Sequence, residues 1–461
     1  MFRTLPLALL LLALLAPTFA QKPNVLFIAV DDLRPELHCY GRTHIHSPNL
    51  DRLAASGTLF ERAYCMVPTC GASRASLMTG LRPKPDRFTS HKTIAADDAP
   101  GSVTLNTHFK RQGYETVSLG KVFHTVSDNV KGWSKPPWKS KASVFKLSAS
   151  YDLAKQSKHN RGPPTESAEV AEAEYADGDT AAKALLELQA FKQNEAPFFV
   201  AVGFVKPHLP FVAPKKYWDL YNPASIDLPD NYHPPENVPP DALHSSGELR
   251  KYATVPENGP VSDAMAKDMI HGYYACVSFI DAQIGKLLAE LDRLELADNT
   301  IVIVWGDHGW NLGEHTLWCK HSCFETSLHA PLIVRAPGVS KAGGRVPALT
   351  EFIDIYPTLC ALADLPLPKH LQGKSFVAQL KDPDTPGKSV AVSRYKNGDS
   401  VRNNHYRFTD YTQKAGAPIP MLYNHRTDAD ENVNIAGEEK EAARVQRLRE
   451  RLETVRQSMI E

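Results

Sequence analysis

Beyond its first twenty residues the chain has no apolar run long enough to cross a bilayer, no internal repeat and no low-complexity tract. Those absences exclude a polytopic membrane protein and a solenoid. Net charge is also missing, since 52 basic side chains face 52 acidic ones. A protein that coats nucleic acid carries a basic excess, and a local cluster such as residues 131–146 does not make one. What is present is a globular composition: 43% of the 461 residues are hydrophobic, enough for a large core. At roughly 150 residues per domain the length fits two or three units, or one large α/β sheet with a smaller appendage.

The single long apolar stretch is N-terminal. Arg3 precedes the run at residues 5–16, and Thr18-Phe19-Ala20 places small residues where a signal peptidase reads. Residues 1–20 are therefore expected to be a signal peptide, with a mature chain from near Gln21 that is secreted or periplasmic. A membrane anchor is the competing reading, but the run is shorter than the ~20 residues a span needs, so no stable membrane insertion is expected. Export means an oxidising compartment, in which Cys39, Cys65, Cys70, Cys276, Cys319, Cys323 and Cys360 could form disulfides. Seven is odd, so at least one is free, partnered elsewhere or chemically altered.

Residues 23–30 read as a buried strand that stops at Asp31-Asp32, because the apolar run shows no alternation. A helix is expected at 49–56, with Ser47 as cap, Pro48 in its first turn and Gly57 as terminator. Apolar segments recur at 116–119, 198–204, 300–305 and 332–335, alternating with helical patterns at 179–193 and 261–296. This alternation predicts an α/β fold, a large mixed and mainly parallel sheet sandwiched by helices. Met265 and Cys276 belong to the apolar face of the second helix and carry no ligand function. Residues 127–177 and the proline-dense 207–260 read as excursions over a binding face. From residue 365 the character changes to short strands and turns before a charged helix at 438–459, which predicts a smaller C-terminal α+β subdomain at 365–461 after a main domain at 21–364.

Charged residues sit at the ends of four of the predicted strands, and they carry the chemistry. Asp31 and Asp32 succeed the first strand, Lys121 and His124 the one at 116–119, Lys206 and His208 the one at 198–204, and Asp307 and His308 the one at 300–305. In open α/β sheets the carboxyl ends of the strands line the ligand crevice, so these residues should converge. Any one such dipeptide is commonly a turn or cap. Four at strand ends point to a site, and three carboxylates in one crevice call for a hard divalent cation, calcium or magnesium. His308 suits a softer metal, which leaves a supporting position open to it. Cys70, in Pro68-Thr69-Cys70-Gly71-Ala72-Ser73-Arg74, would open a short helix, where free N–H groups favour an anion. The alternative is a disulfide with Cys65 or Cys39.

Cys70-Gly71-Ala72-Ser73-Arg74 followed by Leu77-Met78-Thr79-Gly80 resembles the signature of the type I sulfatase family of the alkaline phosphatase superfamily. Asn24-Val25-Leu26 leading to Asp31-Asp32, Gly113-Tyr114 leading to Gly120-Lys121 and His124, and Gly306-Asp307-His308-Gly309 match its other blocks in order. Lys206-Pro207-His208 with Pro210-Phe211, Gly309-Trp310 with Leu312-Gly313-Glu314-His315, and Leu422-Tyr423-Asn424 resemble the iduronate 2-sulfatase branch. The resemblance implies an alkaline-phosphatase-like fold and hydrolysis of sulfate esters, on a 2-O-sulfated uronic acid of a sulfated polysaccharide. It implies that a maturation enzyme oxidises Cys70 to formylglycine (3-oxoalanine), whose hydrate attacks sulfur, and that one calcium ion is held by Asp31, Asp32, Cys70, Asp307 and His308. Arg74, Lys121 and Lys320 would supply positive charge, Asp307 would act as base, His208 with Lys320 would protonate the leaving oxygen, and His124 would serve the step that expels sulfate.

One departure is Ala72, where the family pattern has proline; it places the maturation route in question. Cys319 and Cys323 with His315 admit a zinc reading, disfavoured because no second cysteine pair lies at finger spacing. His44 and His46 read as loop residues. Trp133, Trp138 and Trp310 are either sugar-stacking surfaces or packing. Two other functions remain open at this level: a phosphate or phosphonate ester hydrolase on the same fold, and a glycan-binding protein in which Cys70 is never oxidised.

Overall fold

A strand that is apolar at every position must be covered on both faces. The computed structural model, which describes residues 22–194 and 196–458, shows how this is met. In β1 (Asn24–Val30), Leu26, Ile28 and Val30 enter one core while Val25, Phe27 and Ala29 enter another. The same division recurs in β4 (Phe198–Phe204) and β5 (Thr300–Gly306), while β3 (Glu115–Gly120) sends Val117 and Leu119 into the first core and turns Thr116 and Ser118 to the other face. With β2 (Thr58–Tyr64), β6 (Leu332–Arg335) and β7 (Gly344–Glu351) they form a seven-stranded sheet in the order β7-β2-β6-β5-β1-β4-β3. Only β6 runs against its neighbours, so the sheet is mixed and mainly parallel as expected.

Helices α1 (Pro48–Ser56), α3 (Ala176–Asn194) and α4 (Asp263–Arg293) bury their apolar faces on one side of the sheet. Helix α2 (Cys70–Thr79) packs on the other. On α4, Met269, Tyr273, Cys276, Ile280, Ile284, Leu287 and Leu291 are all buried, and each large aliphatic side chain so placed contributes about 1.5–3 kcal/mol. Ser47 stands at the N-cap of α1 as expected, but its hydroxyl accepts from the His38 N–H, and the orphan N–H of Leu50 is met at 2.7 Å by Asp281 of α4. A carboxylate from the packing partner thus replaces the local cap.

The C-terminal region is an antiparallel meander of β8 (Ala391–Tyr395), β9 (Gly398–Arg402), β10 (Tyr406–Tyr411) and β11 (Ile419–Asn424). Val445, Leu448 and Leu452 of α5 (Ala442–Ser458) cover it. It is bonded to the segment entering α2: the Ser393 hydroxyl donates to Cys65 O at 2.6 Å and Arg394 N to Met66 O at 2.8 Å. The expected signal peptide lies outside the described residues, and no described helix is long and apolar enough to cross a membrane. All seven cysteines are free and all but Cys39 are buried, so the reading of Cys70 as half of a disulfide is set aside.

Candidate active site

The strand ends converge. β1 delivers Asp31 and Asp32, β5 delivers Asp307 and His308, and the loop after β2 turns into α2 at Cys70. Asp32 takes a left-handed conformation (φ 60°), sparsely used by non-glycine residues but tolerated by Asp, which lets two successive carboxylates face one crevice. Asp32 N donates to Asp307 Oδ1 at 2.9 Å. Helix α2 fits the crevice closely, since a Cβ at Gly71 would stand 2.3 Å from His91 O. Its first helical bond runs from Ser73 N to Thr69 O. Ala72 therefore occupies a position whose N–H has no intrahelical partner, and the change from the family's proline costs the helix no hydrogen bond.

Arg74 is fully buried and ties the carboxylates together. Its Nε donates to Asp307 Oδ2 at 2.9 Å and an Nη to Asp31 Oδ1 at 3.0 Å, while the other Nη donates to the carbonyls of Lys121 and Val122. Lys121 pairs with Asp31. Lys320 lies 3.0 Å and 3.1 Å from the two Asp32 oxygens, with its ammonium over the Trp310 ring. The His308 Nδ1 bond to Gly309 O, at 3.0 Å, leaves the Nε2 lone pair aimed at Cys70 Sγ (3.3 Å), Asp32 (3.4 Å) and Asp307 (3.6 Å). Burial pushes the Cys70 thiol well above its ordinary value, with Asp31 adding to it. Burial would also raise Asp31, but Lys121 and then Arg74 hold it well below the usual carboxylate range. Asp32 goes the other way: burial raises it, and Lys320 and His208 offset only part of that.

One participant carries no sequence signal. Glu248, in the proline-dense excursion, lies 3.1 Å from Lys320 Nζ and 3.2 Å from His208 Nε2. Burial would raise it, yet Lys320 and then His208 hold it well below its ordinary value. Four carboxylates (Asp31, Asp32, Asp307, Glu248) thus meet three permanent cations (Arg74, Lys121, Lys320), a deficit that a divalent ion would reverse. Atoms of Asp31, Asp32, Cys70 and His208 lie within 4.8 Å of one another, as do those of Cys70, Asp307 and His308. The three carboxylates among these fit a hard-cation site, with His308 and His208 each placing an imidazole at its edge. Glu248→Gln is expected to lower kcat/KM about tenfold, the worth of one charge-assisted hydrogen bond, with an unchanged melting temperature. Equal activity in the variant would show that Glu248 does not orient Lys320 and His208.

Of the residues picked out by sequence, Lys206 does not join the cluster: its ammonium donates to the carbonyls of His208 and Pro210 at 2.6 Å each and so shapes the loop presenting His208. His124 stands beside Lys121 and edges the ring of His91, and among the described residues its Nδ1 has no hydrogen-bond partner. Burial, then Lys121, lower it to about 3. Trp133 and Trp310 are 3% and 0% exposed, so they pack and offer no stacking surface. The zinc reading is corrected, because His315 Nε2 is bonded to Asp430 O and Cys323 Sγ faces Gly398 O. The loop that separates them, with Cys319 and His321 at positive φ, is used to present Lys320.

Residues 23–365 match the sulfatase family, and residues 313–458 match the family described as N-sulphoglucosamine sulphohydrolase, C-terminal. The chain belongs to the sulfatase family and is a sulfuric ester hydrolase. More particularly, the iduronate 2-sulfatase of Mus musculus is 34% identical over 400 residues, 77% of this chain and 71% of that protein. Among solved structures, an enzyme in complex with its substrate D-glucosamine-2-N,6-O-disulfate superposes with a TM-score of 0.78 at 21% identity, covering 95% of this chain and 98% of that one. The phosphonate monoester hydrolase of Agrobacterium radiobacter reaches the same TM-score at 22% identity, covering 95% and 96%. At that identity both show a shared fold.

Proposed function

We propose that this is an exported sulfatase acting on a sulfated carbohydrate, with a 2-O-sulfated uronic acid of a polysaccharide as the favoured substrate. The observation that carries the reading is Cys70 at the first turn of α2, buried among Asp31, Asp32, Asp307 and His308, with Lys121, Lys320 and His208 beside them. The relation to iduronate 2-sulfatase supports the sugar assignment. Export would follow removal of residues 1–20, and a maturation enzyme would convert Cys70 to formylglycine. Asp31, Asp32, Asp307 and His308, together with residue 70, would hold calcium. When in place, formylglycine supplies a hydrated aldehyde as nucleophile and calcium the charge that polarises a sulfuryl oxygen.

The chain's own groups then divide the remaining work. Arg74, Lys121 and Lys320 set permanent positive charge around the sulfuryl oxygens, where it stabilises developing negative charge. Asp307, oriented by Arg74, takes the proton of the attacking group. His208, held between Glu248 and Asp32, gives a proton to the departing sugar oxygen, with Lys320 assisting. His124, which stands beside Lys121 and is neutral there, is the group assigned the proton in the step that frees sulfate. The C-terminal subdomain is assigned to residues 365–461.

Fragmentation mass spectrometry of the tryptic peptide 63–74, from protein made in its native host, tests the maturation, and sulfate release from sulfated uronides tests the activity. An unmodified Cys70 in active protein would overturn the nucleophile. Faster hydrolysis of a phosphonate monoester than of any sulfate ester would overturn the substrate class. Chelation is expected to lower sulfate release by at least about 10²-fold, with calcium restoring it; full activity after exhaustive chelation would remove the metal from the reading.

A further inference from the structure

A second concavity, of about 840 Å³, lies between the main domain and the C-terminal sheet. That is the size of a cleft able to take a small ligand or a stretch of polymer. One wall is the 82–89 loop, with Pro83, Pro85 and Phe88; the other is formed by the meander and by Leu452 of α5. Three lysines from three separate loops overlook it: Lys84, Lys396 at the β8–β9 turn, and Lys414 between β10 and β11. The arginines there are already engaged, Arg394 and Arg456 with Asp399 at 2.7 Å and 2.5 Å, and Arg82 with Glu351. Among the described residues no carboxylate lies within ion-pair distance of the ammonium groups of Lys84, Lys396 or Lys414. The groove therefore carries excess positive charge beside apolar and proline surfaces, a combination complementary to a polyanion built of sugar rings.

Its position links it to the crevice along both walls. Two residues beyond Thr89, the His91 backbone abuts Gly71 at the start of α2, and its ring edges that of His124. On the other wall, Tyr395, between Arg394 and Lys396, stacks on His321 at 5.5 Å, and His321 follows Lys320 directly. The groove and the crevice are thus joined by two packed links, one through His91 and one through Tyr395 and His321.

We infer that this groove is a subsite for the neighbouring anionic residues of a sulfated polysaccharide, engaged through Lys84, Lys396 and Lys414. It rests on the proposed sulfatase function and adds that the enzyme works on extended chains in preference to isolated sugars. The consequence is a rate that rises with chain length and falls steeply with salt.

The test compares wild type with a Lys84→Ala/Lys396→Ala/Lys414→Ala variant, and with the triple Lys→Arg variant as a control for folding and charge. Heparin fragments of graded length serve as substrates, and fluorescein-labelled heparin as a binding probe. The alanine variant should lose about tenfold in kcat/KM and in affinity on the long fragments, keep the wild-type rate on the disaccharide, and show a shallower salt dependence. The arginine variant should behave as wild type. Equal losses on short and long fragments, or a wild-type rate indifferent to length, would overturn the subsite. Should wild type release no sulfate from any fragment, heparin is not a substrate of the proposed activity, which is a separate failure. The subsite is then judged by the binding probe alone, and unchanged affinity in the alanine variant overturns it.

Discussion

Protein carrying Cys70→Ser or Cys70→Ala is expected to lose sustained sulfate release by on the order of 10³-fold or more while melting at the wild-type temperature. The reason lies in the thiol's surroundings. Cys70 is 2% exposed, Asp32 Oδ1 lies 3.8 Å from its sulfur, and burial, then Asp31, raise it well above an ordinary thiol. At neutral pH such a cysteine is a protonated thiol and a poor nucleophile. Burial, with Asp31 and Asp307 adding to it, outweighs Lys121 and Lys320, which favour a thiolate. Residue 70 as encoded is therefore expected to be inert, and activity should rise in proportion to the fraction converted to formylglycine. Serine is nearly isosteric, so the fold survives; it offers one hydroxyl where the family chemistry uses two, and should react at most once. Repeated turnover by the serine variant, or full specific activity in preparations whose peptide 63–74 is unmodified, would show that the conversion is not needed.

The parts of this architecture that are legible in the sequence are those in which one local pattern fixes the outcome. β4 throughout, and β1 and β5 after their first residues, are apolar because both faces are covered, and α4 shows its buried stripe at helical spacing. The site residues at their ends follow from the topology of a parallel sheet. β2 and β7 escape the same reading. Glu61 and Arg62 interrupt β2, and β7, at the sheet edge, alternates buried and exposed residues over its first half. Glu248 escapes for a different reason. It stands 72 residues from Lys320 in sequence, in a segment without periodicity, and only the folded path of residues 207–260 brings it to His208. Lys206 shows the converse error: it follows a strand as the others do, yet its ammonium turns back to bind its own loop. Position at a strand end tells which residues can reach the crevice, and side-chain direction decides which of them do.

Loss of Arg74 should be the most damaging single change for stability. In Arg74→Ala the partner carboxylates Asp31 and Asp307, both 0% exposed, are left in the core without their shared guanidinium, and breaking a buried pair this way costs about 3–5 kcal/mol. Lysine is not a substitute. A single ammonium cannot meet Asp31, Asp307 and the carbonyls of Lys121 and Val122 in one geometry, so Arg74→Lys should recover only part of the loss. Acid provides an internal control. Burial tends to raise Asp31 while Lys121 and Arg74 lower it further, so its folded value lies well below the ordinary one. The stability it contributes is fully present above the unfolded carboxylate value of about 3.9, and is lost as pH falls through the folded value. Without Arg74 that depression is weaker, because Lys121 alone then holds Asp31. The difference between wild type and Arg74→Ala should therefore be largest near neutrality and shrink below about pH 4. Urea unfolding of both proteins across that range measures it. A gap that stays constant with pH would mean that Arg74 acts through packing against Trp305, whose ring lies 5.9 Å from the guanidinium, and not through the two aspartates.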